Sequence, residues 1–237
     1  MNVWVGTSGY AYNQWKGPFY PQDLPDREML SYYAGKLNSV EINNTFYRMP
    51  SAKLLDGWAE QVPSRFSFVL KASRRITHFK KLRDVKDEVD YLFETAGRLG
   101  ERLGPILFQL PPYLKKDSTL LRDFLALVPE GSKAALEFRS SSWFDDEIYG
   151  LLLDRGVALV AADAGNEKLP PVVARTAPYG YARLRQESYS PEALSQWAQR
   201  LSEPVWEDLY AFFKHEDAGA GPKLAGEFSD LVAAENG

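Results

Sequence analysis

Eight short apolar runs, separated for the most part by segments of helical period, constrain this chain more than any other feature. The runs are "VWVG" (3–6), "SVEIN" (39–43), "FSFVLKA" (66–72), "PILFQL" (105–110), "AALEF" (134–138), "VALVAAD" (157–163), "YGYARL" (179–184) and "LYAFFK" (209–214). Their centres are almost continuously apolar, the pattern of strands buried on both faces as in a parallel sheet. Helices are expected at 27–37, 51–61, 84–103, 117–127, 145–155 and 190–201. The clearest is 84–103, where Val85, Val89, Leu92, Phe93, Ala96, Leu99 and Leu103 form one apolar stripe. Asp84 is a candidate cap for its start, and Gly104-Pro105 a stop. Residues 164–178 are rich in Pro, Gly and polar residues, so a helix there is expected to be short or missing. The "LYAFFK" run also fits a helical period.

Eight strands alternating with helices over 237 residues is the pattern of an α/β, (β/α)8 TIM-type barrel, with 1–237 as one domain. The rival is a doubly wound open sheet. That fold usually carries a glycine fingerprint after its first strand, but the turn here reads "GTSGY", neither G-x-G-x-x-G nor G-x-S-x-G.

Composition narrows the function classes. The formal net charge is -4, which argues against gross capture of nucleic acid or anionic membrane but allows a local basic patch. There is no cysteine, so disulfides and thiolate metal sites are excluded. No run approaches the length of a membrane span, and the first strand starts too early for a signal peptide, so a cytoplasmic protein without membrane partners is expected. The oligomeric state cannot be read from the sequence.

In barrels of this type the active site lies at the C-terminal ends of the strands. That edge reads Thr7 and Ser8; Glu41 and Asn43; Lys71 and Ser73; Gln109; Glu137 and Arg139; Asp163; Arg183 and Arg185; Lys214 and His215. Polar residues at strand ends can simply meet solvent. So many charges beside an apolar core nevertheless need partners, and they read as a ring of functional groups. The following loops are aromatic: Tyr10, Tyr12, Trp15, Phe19 and Tyr20; Phe46 and Tyr47; Trp143 and Phe144. Tyr10, Trp15, Tyr47 and Trp143 are candidates for walls that stack on sugars or bases. They could equally plug the barrel as core.

The stretches "GTSGYAYNQWKGPFYP" (6–21), "VEINNTFYRMP" (40–50), "KASRRITH" (71–78), "FQLPP" (108–112) and "LEFRSSSWF" (136–144) together resemble the YecE-like family, the domain of unknown function 72. The resemblance covers nearly the whole chain. It implies a TIM-type barrel and brings no activity with it. By that resemblance Glu41, Asn43, Lys71, His78, Gln109, Glu137, Arg139 and Asp163 occupy motif positions. The chain departs from the family's pattern twice: it has "RLRQ" (183–186) where the family tends to read Arg-Leu-His-Gly, and "FKHE" (213–216) where it tends to read Phe-Asn-Asn-Asp.

Several chemistries compete for these residues. The chain has only His78 and His215 and no cysteine, so an imidazole-rich zinc cluster is not expected. Glu41, Glu137 and Asp163 could hold a magnesium or manganese ion, although Lys71, Arg139 and Arg183 would then stand among the ligands and could instead pair with them. Neighbouring strands suggest Glu41 beside Lys71 and Asp163 beside Arg183. Glu41 and Glu137 could serve as a glycosidase pair, set ~5–9.5 Å apart. Lys71 could form a Schiff base if desolvated. Arg139 could grip an anion as a bidentate fork. The turn "DAGAGPK" (217–223) could bind phosphate, and the basic run 73–83 could meet a phosphate backbone.

The preferred expectation is an enzyme of hydrolase or lyase type acting on an anionic or sugar-containing ligand, a sugar phosphate or nucleic-acid component. Its catalytic candidates are Glu41, Lys71, Glu137 and Asp163. Asn43, Tyr10, Trp15, Tyr47, His78, Gln109, Arg139, Trp143, Arg183, Lys214 and His215 are expected to bind substrate. The alternative is a non-catalytic ligand- or nucleic-acid-binding protein.

Overall fold

The computed structural model describes residues 1–164, 169–186, 188–214 and 219–235. Eight parallel strands close into a barrel in sequence order: β1 (Asn2–Ser8), β2 (Ser39–Ile42), β3 (Ser67–Lys71), β4 (Leu103–Gln109), β5 (Ala134–Glu137), β6 (Ala158–Asp163), β7 (Tyr179–Leu184) and β8 (Asp208–Phe213). Between and after them run α1 (Met29–Ala34), α2 (Ala52–Glu60), α3 (Lys86–Ala96), α4 (Ser118–Leu125), α5 (Asp146–Asp154), α6 (Pro191–Ser202) and α7 (Ala220–Glu235). The "LYAFFK" run is strand. The described part of 164–178 carries no helix, and residues 165–168 lie outside the described residues.

Local chemistry sets the helix starts. Ser51, Asp117, Asp145 and Ser190 each accept a hydrogen bond from the backbone N–H three residues on, satisfying a donor that the first helical turn leaves open. Asp84 does not act in this way. It sits at a left-handed φ of 50°, and α3 starts after Val85 with no side-chain cap. The Gly104-Pro105 pair does not end that helix either. It lies inside β4, where Pro105 lacks a ladder N–H and the register with β3 shifts between Phe68 and Leu70.

Strand parity divides the core in two. Val69, Leu107, Ala135, Val160, Tyr181, Tyr210 and Phe212 fill the barrel interior. Alternate residues such as Val40, Leu70, Phe108, Leu136, Leu159, Leu184 and Phe213 pack outward against the helices. No helix among the described residues is long and apolar enough to cross a membrane.

The barrel wall is tightest at Gly6. A Cβ there would lie 1.8 Å from the Ser39 carbonyl oxygen and 2.9 Å from the Tyr33 hydroxyl. Gly6→Ala must push β1 from β2 and is expected to cost about 3 kcal/mol, read as a lowered urea midpoint. An unchanged midpoint would show that the wall yields freely at this point.

Candidate functional site

A polar layer caps the apolar interior at the C-terminal end of the strands. Arg183 is its centre. One guanidinium nitrogen donates to Glu41 at 2.7 Å and another to Glu137 at 2.5 Å. Both carboxylates and the arginine are essentially inaccessible to solvent. Glu41 also accepts from Ser8 and Tyr181, each at 2.7 Å, and from Asn43 at 3.2 Å. Glu137 accepts from Gln109 on both oxygens at 2.9 Å and from Arg185 at 3.0 Å. Gln109 turns its carbonyl the other way and accepts from the Lys71 ammonium at 2.9 Å. Lys71 also lies 4.3 Å from the centre of the Phe46 ring. Ser8, Glu41, Lys71, Gln109, Glu137 and Arg183 come from six different strands, so the closed barrel itself assembles the layer.

The protonation states follow from this wiring. Burial pushes the Glu137 carboxyl up, but Arg183, Arg185 and the Gln109 amide outweigh it and bring it down to about 2. Glu41 is held below its usual value by the same contest of burial against Arg183, Tyr181 and Ser8. Lys71 moves the opposite way for an ammonium. Burial and the charge of Arg183 lower it, Glu41 and Glu137 restore only part, and it is left at about 8. His78 is also lowered, by partial burial, Lys71 and Arg139.

These facts remove two of the sequence-level chemistries. A glycosidase pair needs one carboxyl kept protonated near neutral pH. Here both are ionised and tied to one guanidinium. A divalent-cation site from Glu41, Glu137 and Asp163 is not assembled either, because Asp163 faces the other way. On β6 the even residues point inward, so Asp163 points to the helix layer. There it accepts from Gln186 at 2.7 and 2.8 Å, Trp197 at 3.0 Å and Tyr189 at 3.1 Å. No group of three metal-ligating side chains gathers among the described residues.

Both expected neighbour pairs are likewise replaced: Arg183 takes Glu41 and Glu137 in place of Asp163, and Lys71 donates to Gln109.

The aromatic candidates divide. Trp15 and Trp143 are core and not ligand walls. Trp143 stacks on Phe138 at 4.9 Å and donates its indole N–H to the Leu114 carbonyl, and Trp15 is buried among Tyr12, Phe19 and Tyr20. Tyr10 and Asn43 line a cleft of about 140 Å³ with Tyr12, Asn44 and Trp58, beside Glu41. Tyr47 is exposed at the rim. His78 packs edge-on against Phe46 at 5.0 Å. Arg139 is half-exposed, with only a 3.8 Å approach to Glu137. Thr7 turns outward to Tyr33, Ser73 accepts from the Arg75 N–H, and Lys214 is exposed. His215 and the start of the 217–223 turn lie outside the described residues.

Sequence reasoning missed Tyr181 and gave Arg185 no role. The signal was available, since Tyr181, Arg183 and Arg185 alternate on one face of β7 and its extension. Phe46, a loop aromatic by sequence, is the neighbour of Lys71.

The family profile described as "Protein of unknown function DUF72" matches residues 4–237. The chain belongs to the DUF72 family. A DUF72 family protein of Thermotoga maritima, in a crystal structure, is similar over 98% of this chain and 100% of that one, with 27% identity and a TM-score of 0.85. A DUF72 protein of Enterococcus faecalis superposes over 98% of this chain and 95% of its own at a TM-score of 0.79; at 16% identity that likeness shows the fold alone. UPF0759 protein YunF of Bacillus subtilis is 26% identical over 155 residues, 62% of this chain. That match spans about half of YunF, 54% of its length. Arg185 places a second arginine on Glu137.

Proposed function

We propose that this DUF72 protein is an enzyme of lyase type that uses the Lys71 amine on a carbonyl group of an anionic substrate at the barrel mouth. The observation that carries this reading is Lys71 itself: an inward-facing amine at the end of β3, 9% exposed, held at about 8 by burial and the charges of Arg183 and Arg185, beside an aromatic ring. A useful fraction is neutral at physiological pH, and only the neutral amine is nucleophilic. Its lone pair attacks the carbonyl carbon. The carbonyl oxygen leaves as water with the two amine protons, and a C=N bond remains. Once protonated, that bond draws electrons from an adjacent C–C or C–H bond, which is what a lyase needs.

Charge supports the anionic substrate. Glu41 and Glu137 bring two negative charges, while Arg139, Arg183 and Arg185 bring three positive ones even when Lys71 is neutral. The layer therefore has a cationic excess that an anion would balance. Arg139, half-exposed and loosely tied, is placed to grip it, and the Arg185 Nε is buried without a partner among the described residues. Glu41 and Glu137 orient the arginines and do not exchange protons.

Borohydride reduction in the presence of a panel of small oxo acids and sugar-phosphate aldehydes tests this. The expected result is a mass increase on the peptide containing Lys71, absent in Lys71→Met and weakened in Arg139→Lys. Adducts spread over surface lysines with none at Lys71 would sink the proposal.

A further inference from the structure

Three rings lie exposed on consecutive loops at the mouth. Tyr47 follows β2, Phe79 follows β3 and Tyr113 follows β4, and they are 66%, 67% and 59% exposed. They are not scattered. The Arg74 guanidinium lies over both Tyr47, at 5.5 Å, and Phe79, at 5.2 Å. Lys81 lies 5.5 Å from the Tyr113 ring, and the Tyr113 hydroxyl donates to the His78 carbonyl. Phe46 joins the rim to the interior, touching Tyr47 on one side and Lys71 on the other.

Most neighbouring cations are occupied. Arg75 and Lys80 share Glu88, Arg83 holds Asp117, and Lys116 holds Asp145 and Glu147. Arg74 and Lys81 form no ion pair among the described residues. Their charge contacts are with the rim rings.

The backbone that presents them is unusual. Residues Arg75–Phe79 form a π-helical turn, and Lys81, Leu82 and Asp84 then adopt left-handed φ values of 51°, 68° and 50°. Side chains seldom accept that region, and such outliers cluster where a site needs them. Burial of Leu82 pins the loop, leaving Phe79 and Lys81 outside.

We infer that this rim binds single-stranded nucleic acid, with bases stacked on Tyr47, Phe79 and Tyr113 and phosphates on Arg74 and Lys81. Interleaved rings and unpaired cations are the arrangement that holds a strand without reading its sequence. A duplex hides its base faces from such rings, and a neutral glycan would leave the cations unused. The chain's net charge of -4 means that the patch must act alone, so modest affinity is expected. This inference goes beyond the lysine chemistry and does not depend on it.

Fluorescence anisotropy with a labelled twelve-nucleotide oligothymidylate tests it. The expected Kd at low salt is roughly 1–100 μM, with a slope of log Kobs against log salt near about −1.4, two cations' worth. Tyr47→Ala/Phe79→Ala should weaken binding by about tenfold or more. Arg74→Ala/Lys81→Ala should flatten the salt dependence. All four residues are exposed, and circular dichroism checks that the variants stay folded. No binding at low salt, binding indifferent to both double variants, or equal binding of a neutral glucan would each overturn the inference. Because Lys71 takes no part in this assay, failure of borohydride trapping leaves it standing.

Discussion

Replacing Arg183 with methionine is expected to destabilise the protein by about 3–5 kcal/mol, the usual cost of stranding a buried charge. Here two charges would be stranded, since Glu41 and Glu137 both lose their principal partner. Urea unfolding at pH 7 would show it as a large fall in midpoint. The variant should recover much of its stability when Glu41→Gln and Glu137→Gln are added, because neutral amides remove the uncompensated charge. The same pairing predicts acid sensitivity. Glu137 goes from an ordinary 4.5 to about 2 on folding. Its contribution is therefore complete above about 4.5 and is lost as pH falls towards 2. The size is about 3 kcal/mol, at 1.36 kcal/mol per pH unit. Little loss in Arg183→Met would mean that Arg185 and Gln109 suffice to hold Glu137, and Ser8, Asn43 and Tyr181 to hold Glu41.

The barrel was legible in the sequence because its signal is long and redundant. Every strand run lies where the pattern placed it, within a few residues, whereas the one cap read from the sequence, Asp84, does not act as one. The site was legible only in part, because its assembly depends on which way each strand faces. In β6, "ALVAAD" is apolar on both faces, so nothing in the run itself says that Asp163 points outward. In β7, "YGYARL" does alternate, and Tyr181 and Arg183 share the inward face. Trp15 and Trp143 misled for a different reason. Indole suits a sugar wall and a core equally, and only the stacking of Trp143 on Phe138 and the packing of Trp15 among its neighbours decide. The pairing of Arg183 with both glutamates spans strands far apart in sequence, and no spacing rule reaches across it.

Lys71→Met is expected to have the opposite sign to Arg183→Met. Folding lowers the Lys71 ammonium from 10.5 to about 8. The unfolded chain therefore binds more protons between these values, and stability rises with pH across that window. Below pH 8 the buried lysine is a liability of about 3 kcal/mol. Methionine of similar length removes it but forfeits the bond to Gln109, worth about 1 kcal/mol. A net gain of about 2 kcal/mol at pH 7 is the expected outcome, shrinking as pH rises from 8 towards 10.5. A residue that weakens the fold while sitting at the mouth of a barrel is what a working amine looks like. Destabilisation by Lys71→Met at pH 7 would mark Lys71 as a structural partner of Gln109 instead.

Direct titration of Lys71 is the most searching measurement. Mild reductive methylation with carbon-13 formaldehyde labels each lysine, and the Lys71→Met variant identifies the resonance that belongs to Lys71. The resonance should titrate with a midpoint near 8, well below the ~10.4 of a free lysine. A Lys71 midpoint at or above ~10.4 would contradict the account, because an amine fully protonated at neutral pH could not begin the chemistry assigned to it.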